Sequence, residues 1–169
     1  LFMVLHDRVA ASAVVLSSCQ RHALVTHLER LRRHAIDGDY YTLMEEMITD
    51  QLMLDWLDGA NNRIGSPNEN FAREFWELFT TGTTDLDGNQ VYLPDDVNEA
   101  ARAFTGWSIQ EFRDADNNRI CYQSYVPDLH DPGAKVIFSG SPHEAVVYNA
   151  KDVLDATFAH PAAANDLAA

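Results

Sequence analysis

The stretch that most constrains this chain is Ser66 to Thr80, reading SPNENFAREFWELFT. Ser66 is a helix-capping residue, Pro67 suits a first helical position, and Glu69 is spaced to reach back to the backbone N–H of the cap. Together they predict a helix over 67–80, closed by Gly82. Its Phe71, Ala72, Phe75, Trp76, Leu78 and Phe79 form a wide apolar face, while Glu69, Arg73 and Glu77 recur four residues apart as a charged stripe. A second helix is expected over 94–104, burying Val97, Ala100, Ala101 and Phe104 and stopping at Gly106. The two apolar faces are expected to dock on each other, with Arg73 and Arg102 neutralising neighbouring glutamates as they do so.

The other elements follow from periodicity and breakers. Leu24, Leu28, Leu31 and Ala35 recur at helical spacing and predict an amphipathic helix over 20–36, ended by Asp37-Gly38. Asp39 is placed to cap a helix that carries Tyr40, Leu43, Met44, Met47 and Ile48 inward. Thr49-Asp50 relays that helix into a short one through Leu57, with Gly59 as its stop. After Trp107 the texture changes to β-branched and aromatic runs separated by turn clusters, at 107–112, 120–126 and 136–138. These predict a hairpin or a three-stranded antiparallel patch. A last helix is expected over 150–159, with Val153, Leu154 and Phe158 inward. The fold class is therefore mainly α, with a small antiparallel β patch in the second half. With 169 residues, 46% of them hydrophobic, the chain is expected to form a single domain. That domain spans 1–169: helical over 1–106, a β patch over 107–140, and a C-terminal helix over 150–159. A start at Leu1 and an alanine-rich finish read as a fragment of a larger helical domain.

The net charge of −14 is uneven. Five basic and two acidic side chains fall within residues 1–36, leaving seven basic against 24 acidic beyond them. So negative a surface repels phosphate backbones, and nucleic acid is excluded as an expected partner. The early cluster Arg21, Arg30, Arg32 and Arg33 reads as a solvated helix face, although it would also suit an acidic partner. Cys19 and Cys121 are the only cysteines: one long-range bridge, or two buried thiols, are both open readings. No apolar run is long enough to span a membrane.

Several clusters are candidates for chemistry. Glu74 and Glu99 are the carboxylates that would do acid–base work if desolvated, against the competing reading that nearby arginines hold them ionised. His130 and Asp131, in a Pro/Gly loop, would need His143 or His160 to complete a metal or catalytic site. Asn62, Arg63, Asn68 and Asn70 crowd a loop and helix start, where a small anionic or carbohydrate-like ligand would be sought; the bland alternative is asparagine side chains satisfying the loop backbone. Asp85, Asp87 and Asn89, with Asp96 twelfth from Asp85, have the oxygen spacing of a calcium loop, although Gln90 stands where glycine is usual. Calcium is the cofactor this spacing suggests, and a solvated turn is the competing reading; a poorer echo of the spacing lies at Asp114, Asp116 and Asn118, with no acidic closer at the twelfth position. No HExxH pair, nucleophile elbow or phosphate-cradling glycine loop is present.

Three blocks taken in order carry a resemblance: Trp56-Leu57-Asp58-Gly59, then Ser66 to Thr80, then DVNEAARAFTGW from Asp96 to Trp107. With His130-Asp131, Lys135 and His160-Pro161 behind them, the chain resembles the bacterial family known as domain of unknown function 1800, over most of its length from about Leu5. The resemblance implies a central portion of a longer, often exported protein, periplasmic or secreted, and brings no reaction with it. Family copies typically carry a Trp-His-Asn-His-Phe-like stretch in the first helix, where this chain reads Ala13-Val14-Val15-Leu16. The insertion 83–92 is also longer than the family's glycine turn, and Leu93 stands where a capping Thr is expected. The expected function is a non-catalytic exported scaffold or binding protein with a protein partner or unspecified small ligand. The alternative is a metal-assisted hydrolase of the cell envelope.

Overall fold

The structure, a computed structural model, describes residues 17–166; the Ala13–Leu16 stretch and every expectation about residues 1–16 lie outside them. Among the described residues there are seven helices and two separate two-stranded antiparallel sheets. Helix outweighs strand without making a clear majority of the chain.

Helix α1 (Ser18–Asp37) begins earlier than periodicity suggests because Ser17 and Gln20 form a reciprocal capping box. It ends at Gly38, whose φ of 71° supplies the left-handed C-cap. Asp39 caps α2 (Tyr40–Ile48), and Asp50 caps α3 (Gln51–Trp56) through Leu52 N and Met53 N. The stop after α3 is Asp58, at φ 58°, rather than Gly59, which opens a short 3-10 turn over Gly59–Asn61.

The expected helix over 67–80 is shorter: α4 covers Asn70–Glu77. Ser66 instead donates its N–H to Arg63 O in a tight loop, and Asn68 caps the helix by accepting from Asn70 N. Glu69 turns to Arg73 and Asn98, so the predicted capping box does not form. At the other end Thr80 Oγ1 donates to Phe75 O, and Thr81 N and Gly82 N both donate to Trp76 O, which closes the helix early.

Helix α5 (Pro94–Ala103) starts as expected, with Asp96 accepting from Leu93 N. The chain then enters β1 (Trp107–Arg113) and β2 (Arg119–Tyr125), a hairpin in the register Trp107↔Tyr125 to Arg113↔Arg119. A second ladder pairs β3 (Lys135–Ile137) with β4 (Ala145–Val147). The expected single β patch is thus two sheets, and β4 is too short for alternation to reveal. Helices α6 (Ala150–Ala159) and α7 (Pro161–Asp166) complete the described chain.

The core forms where α4 meets α5. Phe104 packs edge-on against Phe71 and Phe75 at 5.1 and 5.5 Å between ring centres, so the expected docking of the two aromatic faces holds. Trp76 is fully buried between Tyr92 and Phe138 and donates its indole N–H to Thr157 Oγ1 on α6. Each such ring contributes roughly 1.5–3 kcal/mol by leaving water. Here one core recruits α4, α5, β3 and α6 together.

Helix α1 is attached by Leu31 on the main core, by Ala23 and Leu24 against Leu52, and by polar bonds. His27 and Arg30 meet the buried Asp50 at 3.1 and 2.5 Å, and Arg33 and His34 meet Glu46. The expectation of a purely solvated basic face therefore fails for Arg30 and Arg33, because acidic side chains of the following helices lie under that face. A Cys19–Cys121 disulfide ties the start of α1 to β2 across 102 residues. No described helix is long and apolar enough to cross a membrane.

Candidate functional site

The sequence where α5 runs into β1, Arg102 to Trp107, builds one wall of a pocket. Thr105 Oγ1 donates to Arg102 O at 2.6 Å and accepts from Asp131 N at 2.8 Å, so one hydroxyl closes the helix and fixes the 130 loop. His130 Nδ1 lies 2.9 Å from Thr105 O. A carbonyl oxygen only accepts, so Nδ1 carries the proton and Nε2 is left as an acceptor. No hydrogen bond reaches Nε2 among the described residues. Gly106, at φ 105°, allows this approach: a Cβ there would lie 2.7 Å from the Tyr125 ring and 3.0 Å from His130 Cβ.

Behind the loop stands a charged strut. Arg102 Nη1 donates to both Glu99 oxygens at 2.7–2.8 Å, and its Nε donates to Asp131 Oδ2 at 2.8 Å. The guanidinium holds Asp131 below the usual carboxylate range, and the two carboxylates in turn push Arg102 up. Lys135, whose side chain is fully buried, donates to Asp131 O and to Tyr148 O, the latter at 2.8 Å. Burial pushes its ammonium below the ordinary lysine range, and the Asp131 carboxylate, 3.9 Å away, pulls the other way.

In front of His130 is a cavity of about 340 Å³. Its floor is Ile48, Ala103 and Leu154, all buried, and its aromatic wall is Trp107, Tyr125 and His130. Trp107 meets Tyr125 at 5.4 Å and Tyr125 meets His130 at 5.8 Å between ring centres. Glu45 and Lys151 stand at the rim, 4.0 Å apart. This is the form of a ligand pocket, an apolar bed with few polar groups.

The candidate residues read from the sequence scatter differently. Glu99 and Asp131 are brought together, but by Arg102, as the self-neutralising reading expects. Glu74 departs from it: Arg73 pairs with Glu69 at 2.8 Å, and Glu74 has no ion pair among the described residues. Burial, then the charge of Glu77, raises the Glu74 carboxyl. Among the described residues no imidazole bonds to it or shifts it. Asn62, Asn68 and Asn70 serve the loop backbone. Asn62, buried, donates to Ala101 O and accepts from Asn68 N, and Asn70 donates to Leu57 O. Arg63 is exposed beside them, and Ile64 N donates to Leu129 O, so this loop buttresses the His130 segment.

The proposed calcium set is divided. Asp85 accepts from Asp87 N, Asn89 N and Asn89 Nδ2, whereas Asp96 is buried and accepts from Leu93 N, Ser139 N and Ser139 Oγ. His143 and His160 do not join His130; they pair with each other at 4.5 Å between ring centres, in a separate cleft of about 510 Å³ lined also by Asp85, Asp87 and Asn89. Burial, then His143, lowers the His160 imidazole, whose Nδ1 accepts from Ala162 N. Among the described residues no three His, Cys, Asp or Glu side chains converge as a metal site. Sequence reasoning missed Glu45, Thr105, Tyr125 and Lys151 as pocket residues. Only the Thr105-Gly106-Trp107 run, a glycine between residues of two elements, offered a signal for one of them.

No curated protein and no solved structure matches the chain. The family model described as Protein of unknown function (DUF1800) matches residues 1–169, the whole chain, and to that family the chain belongs.

Proposed function

We propose that this chain is a non-catalytic binding domain of an exported protein, and that the His130 pocket is where it binds. One observation carries the reading: Arg102 takes both Glu99 and Asp131, the two carboxylates nearest His130 in the strut, as ion-paired acceptors. A carboxylate fixed on a guanidinium is a poor general acid: the lone pairs of both are occupied, and at Asp131 the guanidinium also drives the pKa down. What remains open in the pocket is mostly apolar and aromatic surface, with an imidazole acceptor in its wall and the Glu45–Lys151 pair at its rim, which favours holding a ligand over transforming it. Export is supported by the Cys19–Cys121 bridge, because such bonds persist in oxidising compartments. Calcium remains a proposal for the Asp85–Asn89 turn alone, since Asp96 is engaged elsewhere.

The alternative, a metal-assisted hydrolase of the cell envelope, draws support from one feature: a histidine whose Nδ1–H is pinned by a carbonyl presents Nε2 as metal ligands and general bases do. Metal analysis of the purified protein at equilibrium, with turnover of ester and amide model substrates measured in parallel, separates the two. The binding reading expects no stoichiometric zinc or iron and no turnover. Metal bound in a one-to-one ratio and lost in His130→Ala, together with turnover that disappears in the same variant, would overturn it.

A further inference from the structure

The ligand class of the pocket follows from its charges and rings, an inference that rests on the binding reading above. We infer that the pocket takes an organic cation, a primary ammonium group carried on an apolar or aromatic body. The apolar floor of Ile48, Ala103 and Leu154 under a cavity of about 340 Å³ suits a body the size of one substituted ring. An uncharged ligand would be enough to fill that floor; the sign of the head group is set higher up.

Two ionised groups, Glu45 and Lys151, line the rim, and Asp155 pairs with Lys151 from outside the cavity lining. Lys151 is 2.9 Å from Asp155 and 4.0 Å from Glu45, and it also donates to Tyr41 Oη. Asp155 takes up the Lys151 charge at the shorter distance, which leaves Glu45 the less neutralised ion at the mouth, on a chain whose overall charge is −14. The positive contributions are the Lys151 ammonium and the first turn of α6. The ammonium is already occupied, its pKa pushed up by Tyr41 and Asp155. The first turn of α6 is already served by Asn149, which accepts from Lys151 N and Asp152 N, and by the acidic Asp152 within it. Neither is left to recruit an anion. Glu45, by contrast, is half-exposed, and its only ion partner among the described residues is Lys151, 4.0 Å away.

The wall agrees with the rim. Trp107 and Tyr125 line the cavity edge-to-face, 5.4 Å apart between ring centres, and the negative face of an aromatic ring attracts a cation. His130 Nε2, held as an acceptor by the Nδ1 bond to Thr105 O, needs a donor, and an ammonium N–H supplies one that a carboxylate or a quaternary amine lacks.

The test holds the apolar body constant and changes the head: 2-phenylethylamine, 2-phenylethanol and 3-phenylpropionate, titrated calorimetrically into the full chain at neutral pH. The amine is expected to bind about tenfold more tightly than the alcohol, with the carboxylate weakest. Glu45→Gln is expected to narrow the amine's advantage over the alcohol about threefold and leave the alcohol unchanged. Trp107→Leu is expected to weaken all three, with far-ultraviolet circular dichroism verifying that each variant is folded. Equal binding of the three probes, or preference for the carboxylate, overturns the cation assignment while the pocket stands. Binding of none of them overturns both the assignment and the pocket reading beneath it.

Discussion

Asp50 and Lys135, buried charges in the two halves of this molecule, work in opposite ways. Asp50 is a buried anion with a full set of donors: His27, Arg30, Leu52 N and Met53 N. Lys135 is a buried cation whose hydrogen-bond acceptors are carbonyl oxygens, with the nearest carboxylate oxygen at 3.9 Å. Both pKa values are lowered, for contrary reasons. At Asp50 burial alone would raise the value, but the His27 bond and charge, the Met53 N–H and Arg30 outweigh it, so the charged form is favoured. At Lys135 burial is the leading cause, so the charged form is disfavoured. A shift of one sign can therefore mark a stabilised ion or a strained one, and only the donor and acceptor set tells which.

The largest effect that would break this contrast is expected from Asp50→Ala. It leaves Arg30 without its nearest partner, strips the cap from α3 and removes one of the ties of α1, beside its bonds to Glu46 and the Cys19–Cys121 disulfide. Removing one member of a buried pair costs about 3–5 kcal/mol, read as a drop in the urea midpoint with an unchanged slope. Lys135→Met is expected to cost less, about 1–3 kcal/mol, because it keeps the apolar stem and leaves two carbonyls without a donor. If the lysine variant proved the more damaging, the cation would be the better-satisfied ion and the contrast would invert.

Titration sharpens the comparison further. Asp50, lowered when folded, contributes stability that is complete above its unfolded value of 3.8 and is lost as pH falls through the folded one. Lys135, also lowered when folded, sheds its proton before the unfolded chain does. The folded state then gains relative stability as pH rises toward the unfolded lysine value of 10.5. Denaturation midpoints measured across the range are expected to show the acid loss shallower in Asp50→Asn and the alkaline gain missing in Lys135→Met. The difference between wild type and variant is the quantity to read, because burial raises Tyr92 and Tyr125 and they act in the contrary sense in both proteins.

The same distinction explains what the sequence made legible. Elements whose determinants are local were readable: α2 and α5 begin at Asp39 and Pro94 as their capping and proline signals say, and the Phe104 contact follows from apolar spacing. Misreadings arose where a distant partner decided. Ser66 looks like a cap in isolation, yet Asn62 claims Asn68 N and Asn68 does the capping. Arg30 looks solvated until Asp50 lies beneath it. The pocket was the least legible feature, since Glu45, Thr105, Tyr125, His130 and Lys151 are spread over more than 100 residues and share only a position in space. Family membership, by contrast, was readable because its blocks are contiguous.

The smallest expected effect uses exposed carboxylates as the reference that both buried ions lack. Asp85 and Asp114 accept the same bonds, from the backbone N–H two and four residues on and from the asparagine side chain at the fourth, and both are lowered by them. Hydrogen bonds alike in kind to those around Asp50 are thus made where water would have served nearly as well. Asp85→Ala and Asp114→Ala are each expected to move the melting temperature far less than Asp50→Asn, and by similar amounts. Adding calcium, then a chelator, extends the comparison to the two turns as possible ion sites. Calcium at the Asp85–Asn89 turn, as proposed above, is expected to raise the melting temperature only slightly, since local donors already satisfy the Asp85 carboxylate. A calcium-dependent rise that vanishes in Asp85→Ala but survives in Asp114→Ala would show that identical local bonding does not make the two turns equivalent, and that something beyond the turn completes a site at Asp85.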